Sequence, residues 1–587
     1  MKRIAAFLLS GAICAGLLSG CGSNSSSAST SNADVPGSQP VSISEAPAVT
    51  AAPDSSPDDS IASNSTSEAL DVPSTLAQEV FGDAEPEEWT LPLDNGNDEL
   101  SLVVTFAADK LQNYCPNGTE DFEIFGAAEE ITGVHVNIRS LSTSASTEQF
   151  PVMIASGDYP DMVGWGLSYN GGNELAVDEG VYLDLTDIIK EYAPNYMEKL
   201  SSDDDLLKSA LSDKGYITNF FALRTEDSLG TFGPVIRTDL LEKAGLDKPY
   251  TIDEYENVLT SFKDMGIAEP LVLMSTGCAP NNFIAGAYGI SAYQCTFPMT
   301  VAPFYVEDGT VKYGLVEDGY TDYMALIQDW LEKGLIDKEF VINNQNWNSA
   351  DYANKVSTGQ AGLFYTDKGN IAGYNASSEI DGFHVEATYD AHLTKDSVNH
   401  FSSVTKKSAG NGISITDNCE NIELAAQWCD WWYTDEASLL ANYGVEGVSY
   451  EMVDGKPQFT DLVKNFELGT RDALMIYASN DTICCVIDNH AVDSLYEPED
   501  VEAPEIWAKG CDDANVIPQS VTLNTEENEA YNSKYSDIAT YVEENTTKFL
   551  TGDKSMDEWD SFVQALWDMG LQDCIDAYQS AYNRCEG

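Results

Sequence analysis

Between Gly22 and Asn97 the chain carries no lysine or arginine and only two aromatic residues, Phe81 and Trp89. Serine, alanine, proline, asparagine and aspartate dominate the rest. Such a stretch cannot bury enough apolar surface to offset the entropy of ordering it, so disorder is expected, with packing of the part around Trp89-Thr90-Leu91 on the body left open. Any compact fold is thereby confined to about 490 residues, from 98 onward. That length exceeds what one hydrophobic core usually organises, and two domains are expected. As a flexible coil the stretch spans on the order of 50 Å, the reach of a tether.

Ahead of it, Lys2 and Arg3 precede a mostly apolar run, Ile4 to Leu18, the pattern of a secretory signal over 1–20. The run is too short, and too rich in serine and glycine, for a stable membrane span. It ends in Leu18-Ser19-Gly20-Cys21, which resembles the bacterial lipobox. The resemblance implies that Cys21 becomes the first mature residue and carries a diacylglycerol, with the tether covering 21–97. Acyl chains contribute about 0.8 kcal/mol per buried methylene, so a di- or triacylated Cys21 would hold the chain at a membrane. No later segment offers an apolar run of spanning length, and only the lipid is expected to touch the bilayer.

The whole chain is strongly acidic, with 97 Asp plus Glu against 29 Lys plus Arg and a formal charge of −68. Nucleic acid needs a basic footprint, so that class of partner is excluded. Cys14 and Cys21 fall in the leader and ten cysteines remain, with no CxxC pair and no zinc-ligand spacing. The five histidines form no HExxH pair, and neither a GxSxG elbow nor a P-loop occurs. Asp94 to Glu99 is rich in oxygen ligands but lacks EF-hand spacing, and reads as a turn. No metal or cofactor is expected. A glycoside hydrolase needs only two suitably placed carboxylates, so a lipid-anchored carbohydrate-active enzyme stands as the alternative reading.

The body opens with a strand, Leu100 to Ala107, then a helix from Phe122 to Thr132 and a second strand from Val134 to Arg139, a βαβ beginning. Thr251-Ile252-Asp253-Glu254 is a capping box, and Ile252, Tyr255, Val258, Leu259 and Phe262 share one face of the helix it starts. Trp559, Phe562, Val563, Leu566 and Trp567 repeat that spacing near the end, before another helix through Tyr582. Mixed strands and helices over this length predict an α/β fold in two lobes.

Four stretches are similar to one known family. They are Ala155-Ser156-Gly157-Asp158-Tyr159-Pro160-Asp161-Met162-Val163; Ile236 to Leu246 with Pro249 and the capping box; Gly334 to Phe340 with Thr358-Gly359-Gln360-Ala361-Gly362; and Gly444 to Glu451. In this order, behind a lipobox, they resemble the extracellular solute-binding proteins that serve ABC sugar importers, and within them the large oligosaccharide-binding lipoproteins of Firmicutes. The resemblance spans about 98 to 585. It implies a periplasmic-binding-protein-like fold, each lobe a central sheet flanked by helices, joined by hinge strands. It divides the chain into lobe I, 98–230 plus 410–445, and lobe II, 231–409 plus 446–587. Crossings are expected near Leu229-Gly230-Thr231, Ala409 to Gly412 and Gly444 to Gly447. The implied protein is a monomer, not an enzyme, lipid-anchored outside the cytoplasm, with an oligosaccharide and ABC permease subunits as partners.

A sugar presents apolar C–H faces and a rim of hydroxyls, so its site needs aromatic plates beside polar groups. Trp165 lies five residues after Pro160, where maltose-binding relatives place an aromatic against sugar, and Tyr169 and Asn170 extend that loop. Asp109 and Lys110 follow the first strand of the body. Tyr365, Asp367 and Lys368 follow a short apolar strand, Ala361 to Phe364, and would face the cleft from the second lobe. Trp347 is a further platform candidate, and Glu446 lies at the expected third crossing. Trp428, Trp431 and Trp432 sit at i, i+3 and i+4, the spacing of a core stripe, with Trp432 placed to reach the cleft. Convergence of Arg224 and Arg471 would favour an acidic sugar.

Acylation requires a thiol at the processing site. Cys21→Ser is therefore expected to release the protein to the medium or leave it unprocessed. Metabolic labelling with a palmitate analogue checks this, since label retained by the variant would exclude Cys21 as the acylated residue.

Overall fold

The computed structural model describes residues 75–94, 98–106, 111, 113–273, 282–291, 303–336, 350–401, 404–467, 470–478, 483–518 and 521–586. The first strand, β1 (Glu99–Phe106), is buried on both faces along most of its length. That suits its near-continuous apolar sequence, as in parallel strands covered on two sides. Its partners β2 (His135–Ser142) and β3 (Met162–Val163) run parallel to it. The helix Glu123–Thr132 connects β1 to β2 and ends at Gly133, completing the expected βαβ opening. The sheet continues to β4 (Phe220–Arg224) through β13 (Ser408–Ile415), in the order β2-β1-β3-β13-β4.

From β4 the chain passes through β5 (Ser228–Leu229) into β6 (Phe232–Arg237), the first strand of a second sheet. That sheet adds β7 (Glu269–Leu271), β10 (Ala361–Asp367) and β11 (Val385–Ala387), in the order β11-β6-β10-β7. A separate hairpin pairs β8 (Phe304–Glu307) with β9 (Thr310–Tyr313). The return to the first sheet runs through β12 (Val404–Thr405), which pairs with β5 in antiparallel register. The two crossings are thus hydrogen-bonded to each other as a double hinge. The first falls where Leu229 to Thr231 predicts it. The second precedes Ala409 to Gly412, which already belong to β13.

Each sheet has its own apolar core. One gathers Leu102, Val104, Ile138, Met162, Phe220, Ile413 and the tryptophans of helix Ile422–Trp431. The other gathers Ile236, Leu241, Leu363 and the helix Ile252–Asp264, whose five predicted apolar residues are all buried. Both reciprocal bonds of its capping box form: Glu254 N donates to Thr251 Oγ1 at 3.4 Å and Thr251 N to Glu254 Oε2 at 3.0 Å. Helices Trp559–Asp568 and Leu571–Glu586 close this second core.

Several boundaries differ from the sequence reading. Residues 75–94, expected within the disordered tether, are packed on the body. Ala77 and Phe81 of helix Thr75–Phe81 enter the first core, and Trp89 Nε1 donates to Asp430 Oδ2 at 2.9 Å. The two aromatics of an otherwise polar stretch are what attach it. Residues 446–487, grouped with lobe II from sequence, pack on the first sheet's side, since Ile476 and Ile483 to Cys485 lie in its core. Gly444 is accordingly no hinge. It ends helix Asp435–Tyr443 at φ +85°, and a Cβ there would lie 2.1 Å from the Tyr477 carbonyl oxygen. The third crossing instead lies between Ala491 and helix Pro498–Trp507, which packs on β6 and β11. Among the described residues no helix is long and apolar enough to cross a membrane.

The predicted apolar stripe at the C-terminus is graded. Phe562 and Leu566 are enclosed, while Trp567 is only partly buried at the core's rim. Phe562→Ala is expected to cost about 3–5 kcal/mol of stability, as for other large buried aromatics. Trp567→Ala should cost less, and urea unfolding of the two variants checks the order.

Candidate functional site: the crevice at the strand ends

Strand direction fixes where a ligand can meet both lobes. β1, β2, β3 and β4 point the same way, because β13 is antiparallel to both β3 and β4. Their C-terminal ends, Phe106, Ser142, Val163 and Arg224, therefore share one edge. In the second sheet β10 and β11 run antiparallel to β6, and β7 runs parallel to β10. Leu271, Asp367 and Ala387 thus end beside Phe232, where β6 begins just after the hinge. Both sheets present C-terminal strand ends to the same crossing, the usual ligand position in open α/β folds.

On the second-sheet side, Asp367 terminates β10 and accepts a hydrogen bond from Gly369 N at 2.8 Å. Burial raises its carboxyl above the usual range, against the pull of Gly369 N–H, the Thr231 hydroxyl and the charges of Lys368 and Arg471. Lys368 N donates to Thr231 O at 2.7 Å, so the end of β10 is tied to the hinge itself. Lys368 Nζ reaches Asp493 Oδ1 at 3.2 Å and lies 5.1 Å from the centre of the Tyr496 ring. Tyr365 is partly buried, and its ring stacks on Phe283 at 6.2 Å.

The sequence reading missed the segment 488–496, which links these groups to the first lobe. Arg224 Nη1 donates to Asn489 Oδ1 at 2.9 Å, and Tyr443 Oη to Asp488 Oδ2 at 2.8 Å. His490 meets Asp493 at 2.8 Å, and that carboxylate raises the imidazole's pKa. Arg224 and Arg471 do approach one neighbourhood, Arg224 through Asn489 and Arg471 through its charge on Asp367 and Tyr496. Asp367 is the carboxylate on which Arg471 acts. No motif marks this segment, because its role follows from where the third crossing runs.

On the first-sheet side the expected platform is turned inward. Trp165 is 7 % exposed and packs in the core, parallel to Phe125 at 6.4 Å. Gly166, at φ +73°, brings the loop so close to β1 that a Cβ would lie 1.9 Å from Thr105 Oγ1. The tight turn sends the indole beneath the sheet end instead of into solvent. Trp432 is fully buried, edge-on to Phe125 at 6.4 Å, with no partner for its Nε1 among the described residues. Tyr169 is partly buried and donates its hydroxyl to Glu179, a bond that raises the phenol to about 12. Asn170 and Glu446 are exposed. Asp109, Lys110 and Trp347 lie outside the described residues. Among the described residues no group of three or more His, Cys, Asp or Glu is arranged to hold a metal ion.

Two lobes joined by paired hinge strands, with strand ends facing one crossing, form the architecture of a closing binding protein. The family profile of the bacterial extracellular solute-binding proteins matches residues 116–438, more than half of the chain. The chain belongs to that family. Among curated relatives of this solute-binding protein, the fructooligosaccharide ABC transporter substrate-binding protein FusA of Streptococcus pneumoniae is 23 % identical over 525 residues, covering 85 % of this chain and 92 % of FusA. The polygalacturonan/rhamnogalacturonan-binding protein YtcQ of Bacillus subtilis is 21 % identical over 479 residues, covering 78 % and 87 %. In solved structures the fold matches an HMO-binding, ABC-transporter-associated solute-binding protein of Bifidobacterium longum infantis, with TM-score 0.66 and 18 % identity over 83 % of this chain and 99 % of that one. It also matches FusA in complex with kestose, with TM-score 0.62 and 20 % identity over 83 % and 99 %.

Because the Trp165 indole fills space between helix Glu123–Thr132 and the sheet, Trp165→Ala is expected to cost this solute-binding protein about 3–5 kcal/mol of stability. Denaturant unfolding checks it. A wild-type unfolding midpoint would show that the indole is not a packing element.

Proposed function

We propose that the protein captures an oligosaccharide outside the cytoplasm and delivers it to the permease subunits of an ABC importer, held at the membrane by an acylated Cys21. The observation that carries this reading is the crevice itself, where C-terminal strand ends of both sheets meet at a double hinge, with Tyr365, Asp367 and Lys368 on the second-sheet side. Hydroxyl-rich, C–H-faced ligands need that combination. The substrates in the names of FusA and YtcQ, both oligo- or polysaccharides, agree with it.

In this reading Tyr365, Asp367 and Lys368 contact the sugar from the second lobe, and Tyr169 and Asn170 from the first. Asp109, Lys110, Trp347 and Glu446 complete the contacts. Trp165 and Trp432 form the packed floor beneath them. Closing of the lobes on the sugar then creates the surface a permease recognises, and the protein acts as a monomer that leaves its ligand chemically intact.

A binding protein shifts its own melting temperature with ligand by linkage, by an amount that grows with ligand concentration over Kd. A thermal-shift screen against neutral and acidic oligosaccharides is expected to give such a shift, with the sugar recovered unchanged by chromatography after long incubation. New reducing ends, absent from a heat-killed control, would replace this reading with a hydrolase.

A further inference from the structure

Helix Leu571–Glu586 belongs to the second core, in which its residues Leu571, Cys574, Tyr578 and Ala581 are buried. Its last turn reaches the other lobe. Arg584 Nε donates to Asp213 Oδ1 and Nη2 to Asp213 Oδ2, each at 3.1 Å. Asp213 lies between helix Asp204–Ala210 and β4, in a stretch fixed to the first core by Leu206, Leu207 and Ile217. Lys208 of that helix donates to the Cys585 carbonyl, a second bond across the same gap. Other ion pairs near the hinge, Lys368 with Asp493 and Lys406 with Asp227 and Asp513, involve segments on which the chain itself crosses. Arg584 and Asp213 are 371 residues apart, and neither lies on a crossing segment.

The two ends of this contact are held differently. Arg584 also donates to Glu527, through Nη1 to Oε1 at 2.7 Å and Nη2 to Oε2 at 2.9 Å, and Nη2 reaches the Thr522 carbonyl at 2.8 Å. Glu527 is buried and closes the capping box of helix Thr525–Thr551, accepting from Asn524 N at 2.9 Å. The guanidinium is therefore anchored in the second lobe whatever Asp213 does. Asp213 sits in a tight turn, in which Ser212 N donates to Tyr216 O at 2.9 Å and Gly215 N to Ser212 O at 2.8 Å. Its carboxylate is partly exposed. If the lobes part, Asp213 returns to water while Arg584 keeps its buried partner, so the large cost of stranding a buried charge does not arise. Isolated exposed ion pairs add little, whereas a bidentate guanidinium shared between two carboxylates is the geometry that does contribute. The contact is thus firm when made and cheap to release.

We propose that Arg584 and Asp213 form a clasp between the lobes, a releasable ion pair that favours the lobe arrangement seen here over the others the hinge allows. This rests on the reading of the lobes as bodies that move about the hinge, and adds what biases them before any sugar arrives. A ligand shifts such an equilibrium only by its differential affinity for the arrangements, so the clasp enters every apparent affinity the protein shows. The pair is electrostatic and partly exposed, and salt screens it: the screening length falls from about 10 Å at 0.1 M to about 3 Å at 1 M.

The test uses the ligand-free full chain, so its result does not depend on which sugar binds. Small-angle scattering reads the separation of the lobes, and hydrogen exchange reads the hinge. Asp213→Asn, Arg584→Met and the double variant are compared with the wild type at about 0.1 M and 1 M salt. At low salt Asp213→Asn is expected to take the radius of gyration that the wild type reaches at high salt, with an unchanged melting temperature. Amide exchange in β5 and β12 should quicken about threefold or more, while both cores stay protected. The double variant should scatter as Asp213→Asn alone does, because the two changes remove one interaction. Arg584→Met also strips Glu527 of its cation and is expected to melt earlier; should it fail to fold, Asp213→Asn decides alone. Wild-type scattering and hinge exchange in Asp213→Asn would overturn the clasp, as would faster exchange confined to the 211–217 turn and the end of the last helix. A salt response undiminished in Asp213→Asn would overturn it too. Failure here leaves the thermal-shift screen with sugars untouched, so the clasp and the oligosaccharide reading fall separately.

Discussion

The pairing of Ser228–Leu229 with Val404–Thr405 constrains everything around it. One of these segments carries the chain out of the first sheet and the other brings it back. They are hydrogen-bonded to each other, so the two connections form one shared ribbon between the sheets. Such a ribbon concentrates conformational change into a few residues while the cores on either side stay packed. It also sets the edge at which β4 ends and β6 begins, so both sheets direct their strand ends to one crevice.

The groups in that crevice divide by how their charge is satisfied. Asp367 and Lys368 are held by Thr231 of the hinge and by Asp493 of the third crossing, so their positions are coupled to the relative placement of the lobes. Asp390, past the end of β11, has burial as the influence on its carboxyl and no ion pair among the described residues.

The acidic surface weighs less on this site than its size suggests. A formal charge of −68 over the whole sequence favours solubility and discourages polyanions at long range. Local partners decide the rest. Arg224 bonds to Asn489, and Arg471 acts through its charge on Asp367 and Tyr496, so both arginines lie beside the crevice.

Much of the fold was legible because it is written locally. The apolar run of β1, the helix ended by Gly133 and the capping box at Thr251 follow from period and end chemistry, and each forms as read. Phe81 and Trp89 were the only aromatics in a polar stretch, and they are among the residues that dock it. What sequence alone could not decide was which side of a turn an aromatic takes, or which lobe claims a segment. Trp165 has the spacing of a sugar platform, but the close approach of Gly166 to Thr105 turns it into the core. Residues 446–487 carry no local mark of the lobe they join. Local propensity acts over a few residues, whereas burial, desolvation and the run of a crossing are set by contacts hundreds of residues apart, and those existed only once the chain had folded.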